Sequence, residues 1–314
     1  MSVGDVANTS APPTPRPLVG YTLTLLAATL FAINGSVSKL AIDVDGMTTL
    51  RWTQIRSSGA FLGLLIALAI LRPSLLRVKR TELRNLAIYG VIGFALVQWL
   101  YLVAITRLPI GIGLILEFTA PVLIALWARF VWHEQVRRRA WYSLALVVVG
   151  LVLIAQVWRG ATLDTWGMVA GFGAAGALAL YYLMGDRLVA KRDAISIVCI
   201  SLGFTTLFWA VVQPWWSFPF SALTESVELP HLGTSLPVGV FALWTIILGA
   251  IVPFVLSISA LKHLSATTVG IVATFEPVAA AAIAWLWLGE TFVAVQILGG
   301  LVVLVGIVLA ETAR

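Results

Sequence analysis

The sequence predicts an all-α integral membrane protein whose ten transmembrane helices form two inverted five-helix repeats. Three observations carry this. The chain is 60% hydrophobic and 11% charged over 314 residues, with a mean hydropathy of +1.00, which no soluble domain of this length sustains. Ten apolar runs of close to 20 residues, the length that spans a bilayer core, fit between charged or Pro/Gly-rich breaks. Sliding the chain by 156 positions also superposes one half on the other.

The runs cover 18–39, 50–71, 84–104, 110–132, 140–158, 165–184, 195–212, 239–261, 266–288 and 293–312. Residues 1–17, with "APPTPRP", read as a disordered cytoplasmic tail. The run after them lacks a convincing cleavage site and reads as an uncleaved first helix. With the N-terminus inside, fourteen of the 20 Lys and Arg fall on the cytoplasmic side, among them Arg77, Lys79, Arg80 and Arg137 to Arg139. Four, Lys39, Arg51, Arg107 and Arg159, fall outside, and Arg56 and Arg129 lie within spans. This positive-inside bias sets both termini in the cytoplasm and accounts for the net charge of +6 without nucleic acid as a partner. The longest connection, 213–238, has no Lys or Arg, and its "QPWWSFPF" suits an interfacial anchor. The lone Cys199 sits in an apolar run, which excludes a disulfide framework and a metal cluster; no cofactor is expected.

At the 156 offset Pro121, Glu134 and Gly150 land on Pro277, Glu290 and Gly306, among many coincidences of small apolar residues. This divides the chain into repeats at 18–160 and 161–314. Five spans per repeat is an odd number, so the second repeat sits upside down relative to the first. Inverted repeats are a recurrent device of secondary transporters, whose halves rock around a site near the midplane.

Two stretches place an acid beside a helix breaker within otherwise apolar sequence. In "GLILEFTAPVLIALWARF" Glu117 precedes Pro121 by four residues, and in "GIVATFEPVAAAAIAWLW" Glu276 adjoins Pro277. A carboxylate in hydrocarbon costs about 3 kcal/mol or more, so it faces a cavity or a partner. Proline cannot donate to the carbonyl four residues earlier, which frees those of Glu117 and Ala273. Such carbonyls are tolerated in a membrane only against protein or water, so the kinks at Pro121 and Pro277 mark faces that line a path.

At a rise of about 1.5 Å per residue, Asn34, Arg56, Gln98 and Glu117 come out roughly 8–11 Å below the outer surface, on four different helices. A layer of this kind lines a vestibule, with Arg56 and Glu117 as a binding or gating pair. Its alternative is an ion pair that only holds helices together. Trp99 and Tyr101 are placed to stack on a substrate or to join the aromatic belt. Glu276 lies roughly 16 Å from either face, with no cation visible at its depth. It is expected to bind a substrate's cationic group or a coupling proton.

Three segments carry a family resemblance: "LPIGIGLILEFTAPVLIALWARFVWHEQ", "SATTVGIVATFEPVAAAAIAWLWLGE" and "NGSVSKLA". With them the chain resembles the drug/metabolite transporter superfamily, in its EamA-type ten-helix members. The wording is closest to the branch that contains threonine and homoserine exporters. The resemblance covers the chain from Val19 onward; the first half has "WHE" where the pattern has "LGE". It implies a bacterial plasma-membrane exporter of amino acids or similar small polar metabolites. The alternatives are an exporter of cationic or amphipathic compounds and, in a different class, a membrane-embedded scaffold. The expected partners are a small-molecule substrate and the lipid bilayer, with proton coupling and oligomeric state left open.

An enzyme is not expected. His133, His231 and His263 lie near span ends or in loops, with no nucleophile–base pair in any span. "GFGAAG" from Gly171 fits a dinucleotide fingerprint but lies inside an apolar span, where small residues pack helices. Glu134 and Glu290, at helix ends, are expected to be caps or loop anchors.

Overall fold

Apolar segments in a bilayer have no water for their backbone groups, which leaves the α-helix as the local solution. The computed structural model describes residues 16–42, 44, 46–108, 110–156, 158, 164–229, 234–288 and 293–311. Of the expected tail over 1–17, residues 1–15 lie outside them, as do Arg159, His231 and Glu290, while Pro17 already opens the first helix. The described residues form ten helical rods. In the first half these are α1 Pro17–Ile42, α2 Thr49–Leu71, α3 Arg80–Arg107, α4 in two pieces (Ile110–Glu117 and Ala120–Phe130) and α5 Arg138–Ala155. In the second they are α6 Thr165–Val189, α7 Ala194–Val212, α8 Val238–Ala260, α9 in two pieces (Ala266–Ala273 and Phe275–Leu288) and α10 Ala294–Glu311. Seven rods are long and apolar enough to cross a membrane by length and composition, with shorter apolar helices in α9 and α10. Side chains of Thr48, Asp164, Asp193 and Ser265 cap the first turns of α2, α6, α7 and α9. The Gly167 amide, which donates to Asp164, holds that exposed carboxyl below the usual carboxylate range.

The packing repeats with the sequence. α1 lies on α8 as α6 lies on α3, and α2 touches α8 as α7 touches α3. The self-images α2–α7, α4–α9 and α5–α10 pack on each other. The closest of these is α5 on α10. A Cβ added at Gly150 would stand 2.7 Å from Gly299 O, and one at Gly299 the same distance from Gly150 O. Here the absence of side chains lets two backbones touch, as small residues do in membranes. Ser143 Oγ donates to Gly306 O at 2.6 Å to close the same seam.

α3 and α8 each contain a wide turn, Tyr89–Leu96 and Ile247–Ile251, where the helix winds at more than 3.6 residues per turn. The 156 offset sets Gly93 on Gly249 within them. Each turn receives a donor from the other half. Thr205 Oγ1 on α7 donates to Gly90 O at 2.6 Å, and Arg56 Nη2 on α2 donates to Gly249 O. The breaks in α4 and α9 also correspond, at Phe118–Thr119 and Thr274. Pro121 and Pro277 open the next half-helix, and the Thr119 and Thr274 hydroxyls donate to Leu116 O and Ile271 O three residues back.

Arginine clamps hold both ends of the α2–α7 pair. Arg51 donates to Pro214 O and Ser217 O at 3.1 and 3.0 Å. At the other end Arg192 donates to Glu82, Leu75 O and Arg77 O, each at 2.8 Å. The connection expected as an interfacial segment folds into short 3-10 turns and a hairpin, β1 Ser226–Leu229 against β2 Thr234–Pro237, with Ser226 opposite Pro237. The hairpin was not expected from the sequence. Trp216 on one of the turns is exposed, as a headgroup anchor would be.

Candidate functional site

Seven rods, α1, α2, α3, α4, α6, α8 and α9, enclose a cavity of about 380 Å³. At one end it reaches Ile42, Trp52 and the exposed Thr106, where α1 and α3 finish and α2 begins. It ends at Tyr181, Tyr182 and Phe254, well past the middle of α6 and α8. Beyond these the space is packed with rings. Phe94 and Phe254 lie 4.6 Å apart, Phe94 and Tyr181 5.4 Å, and Tyr89 stacks on Tyr181 at 5.6 Å. The cavity is therefore open towards one face and closed by aromatic packing towards the other.

Six of the seven side chains singled out in the sequence line it: Asn34, Arg56, Gln98, Tyr101, Glu117 and Glu276. Trp99 does not. Its ring stands edge-on to Trp209 of α7 at 6.3 Å, because a step of one residue from Gln98 turns a side chain about 100° around α3.

Glu117 ends the first piece of α4 and Glu276 lies in the first turn of the second piece of α9. The partial charges at helix ends therefore treat the two acids oppositely. The N-terminal end beneath Glu276 favours a carboxylate and the C-terminal end at Glu117 does not. Glu117 is 7% exposed and Glu276 half-buried. The two acids act on one another electrostatically, and both act on Tyr101.

The expected Arg56–Glu117 ion pair is not formed. Among the described residues the ion pairs within 4 Å are Arg107–Asp164, Arg192–Glu82 and Lys262–Asp193, all at rod ends. Arg56 instead donates to Gly249 O, in the wide turn of α8, and stands 5.7 Å over the Phe254 ring. The charge of Glu276 acts on Arg56. The Cα depths put Arg56 a layer away from Glu276, but a long side chain carries its charge well past its own Cα. Glu276 is thus not without a cation.

Three hydrogen-bonding details complete the site. Thr245 Oγ1 donates to Asn34 Oδ1 at 3.0 Å, joining α8 to α1. Gln98 Nε2 donates to Phe94 O at 2.7 Å. Arg56 Nε and Gln98 Oε1 are buried without a hydrogen-bond partner among the described residues. The arrangement can hold a ligand that carries both charges: one guanidinium for an anionic group, and two carboxylates with an aromatic wall for a cationic one.

Sequence reasoning missed Tyr181, Tyr182, Phe254 and Gly249. For two of these a signal existed, since the 156 offset maps Gly93 on Gly249 and Gln98 on Phe254. Tyr181 and Tyr182 have leucines, Leu25 and Leu26, at their images, so the repeat does not reveal them. Glu134 is exposed beyond α4 with its amide donating to Ala128 O, remote from the cavity.

The family model described as the EamA-like transporter family matches residues 18–156 and again 165–312. The threonine/homoserine exporter RhtA of Escherichia coli is 29% identical over 279 residues, covering 87% of this chain and 81% of that one. The pseudopaline exporter CntI of Pseudomonas aeruginosa is 26% identical over 300 residues, covering 94% and 97%. A solved crystal structure superposes with a TM-score of 0.69 at 16% identity, covering 94% of this chain and 96% of that one, a likeness of fold.

Proposed function

Since the chain belongs to the EamA-like transporter family, we propose that it is a secondary transporter that exports amino acids or similar small polar metabolites by alternating access. One observation carries the reading. A cavity that reaches past the middle of α6 and α8 brings together an arginine and two glutamates, none of them in a direct ion pair. A zwitterion meets these groups in kind. Its carboxylate takes Arg56, and its ammonium takes Glu276 with Glu117 beside it. Two acids against one guanidinium leave a negative charge for the ligand's ammonium or a proton to meet.

With both termini in the cytoplasm, as the charge bias supports, the cavity opens outwards and the Tyr89–Phe94–Tyr181–Phe254 packing closes the inner side. Rocking of the two repeats would exchange these faces. Threonine and homoserine export by one relative and pseudopaline export by another support the chemical class.

The excess of acid over base favours a second reading, export of cationic compounds. Vesicles containing the purified protein and loaded with a labelled panel would separate the two. Efflux of neutral amino acids above protein-free vesicles supports the proposal. Efflux of cations alone supports the second reading, and no efflux of either overturns both.

A further inference from the structure

We infer that Gln98 is a specificity-determining residue, which accepts a hydrogen bond from a hydroxyl on the side chain of an amino-acid substrate. The inference rests on the amino-acid reading above. Gln98 is 6% exposed and lines the cavity. A carbonyl oxygen can only accept, so the bond to Phe94 O fixes which end of the amide is the NH₂ group. That leaves Oε1 as an acceptor. Nothing among the described residues donates to it. Flipping the amide would cost the Phe94 bond and leave that carbonyl facing another oxygen.

A buried acceptor left unmet is unfavourable, so the cavity favours a ligand that supplies the donor. Arg56 Nε is the converse, a buried donor without an acceptor, and suits the substrate's carboxylate. The substrate's ammonium goes to the carboxylates, because hydrogen bonds between charged partners are the stronger ones. The amide oxygen is then left for a second, neutral donor. Asn34 Oδ1 already accepts from Thr245 and is not left unmet as Gln98 Oε1 is. A site built to bond a substrate hydroxyl rejects the apolar isostere more strongly than a purely apolar pocket prefers it.

The test compares threonine with valine, and serine with 2-aminobutyrate, each pair equal in shape and differing in the hydroxyl. Affinity is read by competition for the purified protein. The wild type should prefer the hydroxylated member by at least about tenfold. Gln98→Met should bring each pair within about twofold by weakening the hydroxylated member alone, whereas Gln98→Glu, which keeps an acceptor, should retain the order. Equal affinities in the wild type overturn the inference while leaving the amino-acid reading intact, and need no variant to fold. A preference that survives in Gln98→Met also overturns it. Binding of no amino acid at all removes the amino-acid reading, and this inference with it.

Discussion

Replacing Arg56 by methionine keeps an unbranched stem but removes the guanidinium, and with it the donor to Gly249 O, the cation over the Phe254 ring and the positive charge that acts on Glu276. A hydrogen bond from a charged donor contributes about 1.5–3 kcal/mol. Stranding a fully buried acid costs about 3–5 kcal/mol. Glu276 is half-buried at the edge of a cavity that reaches the surface, so the upper part of that range does not apply. Taken together, Arg56→Met should destabilise the protein by about 3 kcal/mol and Glu276→Gln by about 1–2 kcal/mol. The double variant should lose less than the sum, with a coupling of about 1–2 kcal/mol. Reversible unfolding by SDS in mixed micelles measures the cycle without substrate. Effects of the two single variants that simply add would refute the reasoning.

Efflux should fall at least about tenfold in Glu276→Gln and less in Glu117→Gln, since the half-helix ends favour an anion at the first position only; equal losses would count against that distinction. Gly150→Ala and Gly299→Ala should each push α5 from α10 and cost about 1–3 kcal/mol in the same unfolding assay, without altering which substrates are carried. Arg192→Met removes the side chain that bonds Glu82 and the carbonyls of Leu75 and Arg77, so limited proteolysis should cut the α2–α3 connection faster than in the wild type.

The rods were legible because a bilayer demands long apolar runs; their ends were less so, because charged first and last turns add little hydropathy. α3 begins at Arg80 and not 84, and α6 continues to Val189 through Asp186 and Arg187, helical turns that the apolar run does not mark. The cavity was legible as far as acids, arginine and prolines mark it. The partner of Arg56 was not, because it is a backbone carbonyl in a wide turn, and a carbonyl has no letter in the sequence. Trp99 misled for a related reason. Proximity along the chain to Gln98 and Tyr101 says nothing of the face it takes, and its ring found Trp209 on a helix more than a hundred residues away. The small pairing of 226–229 with 234–237 rests on a few backbone pairs in a connection where hydropathy is silent.

The central claim is that the cavity between the repeats is the substrate path, open outwards in this conformation. Ser38 lines it one turn beyond Asn34, with an Oγ that has no hydrogen-bond partner among the described residues. Ser38→Cys is therefore a small change at a telling place, and the native thiol, the buried Cys199, can be removed as Cys199→Ala. In right-side-out vesicles a membrane-impermeant thiol reagent should label the cysteine at position 38, and saturating threonine should slow the reaction several-fold. Absence of labelling in right-side-out and inside-out vesicles alike, or a rate in right-side-out vesicles that no amino acid changes, would contradict the account.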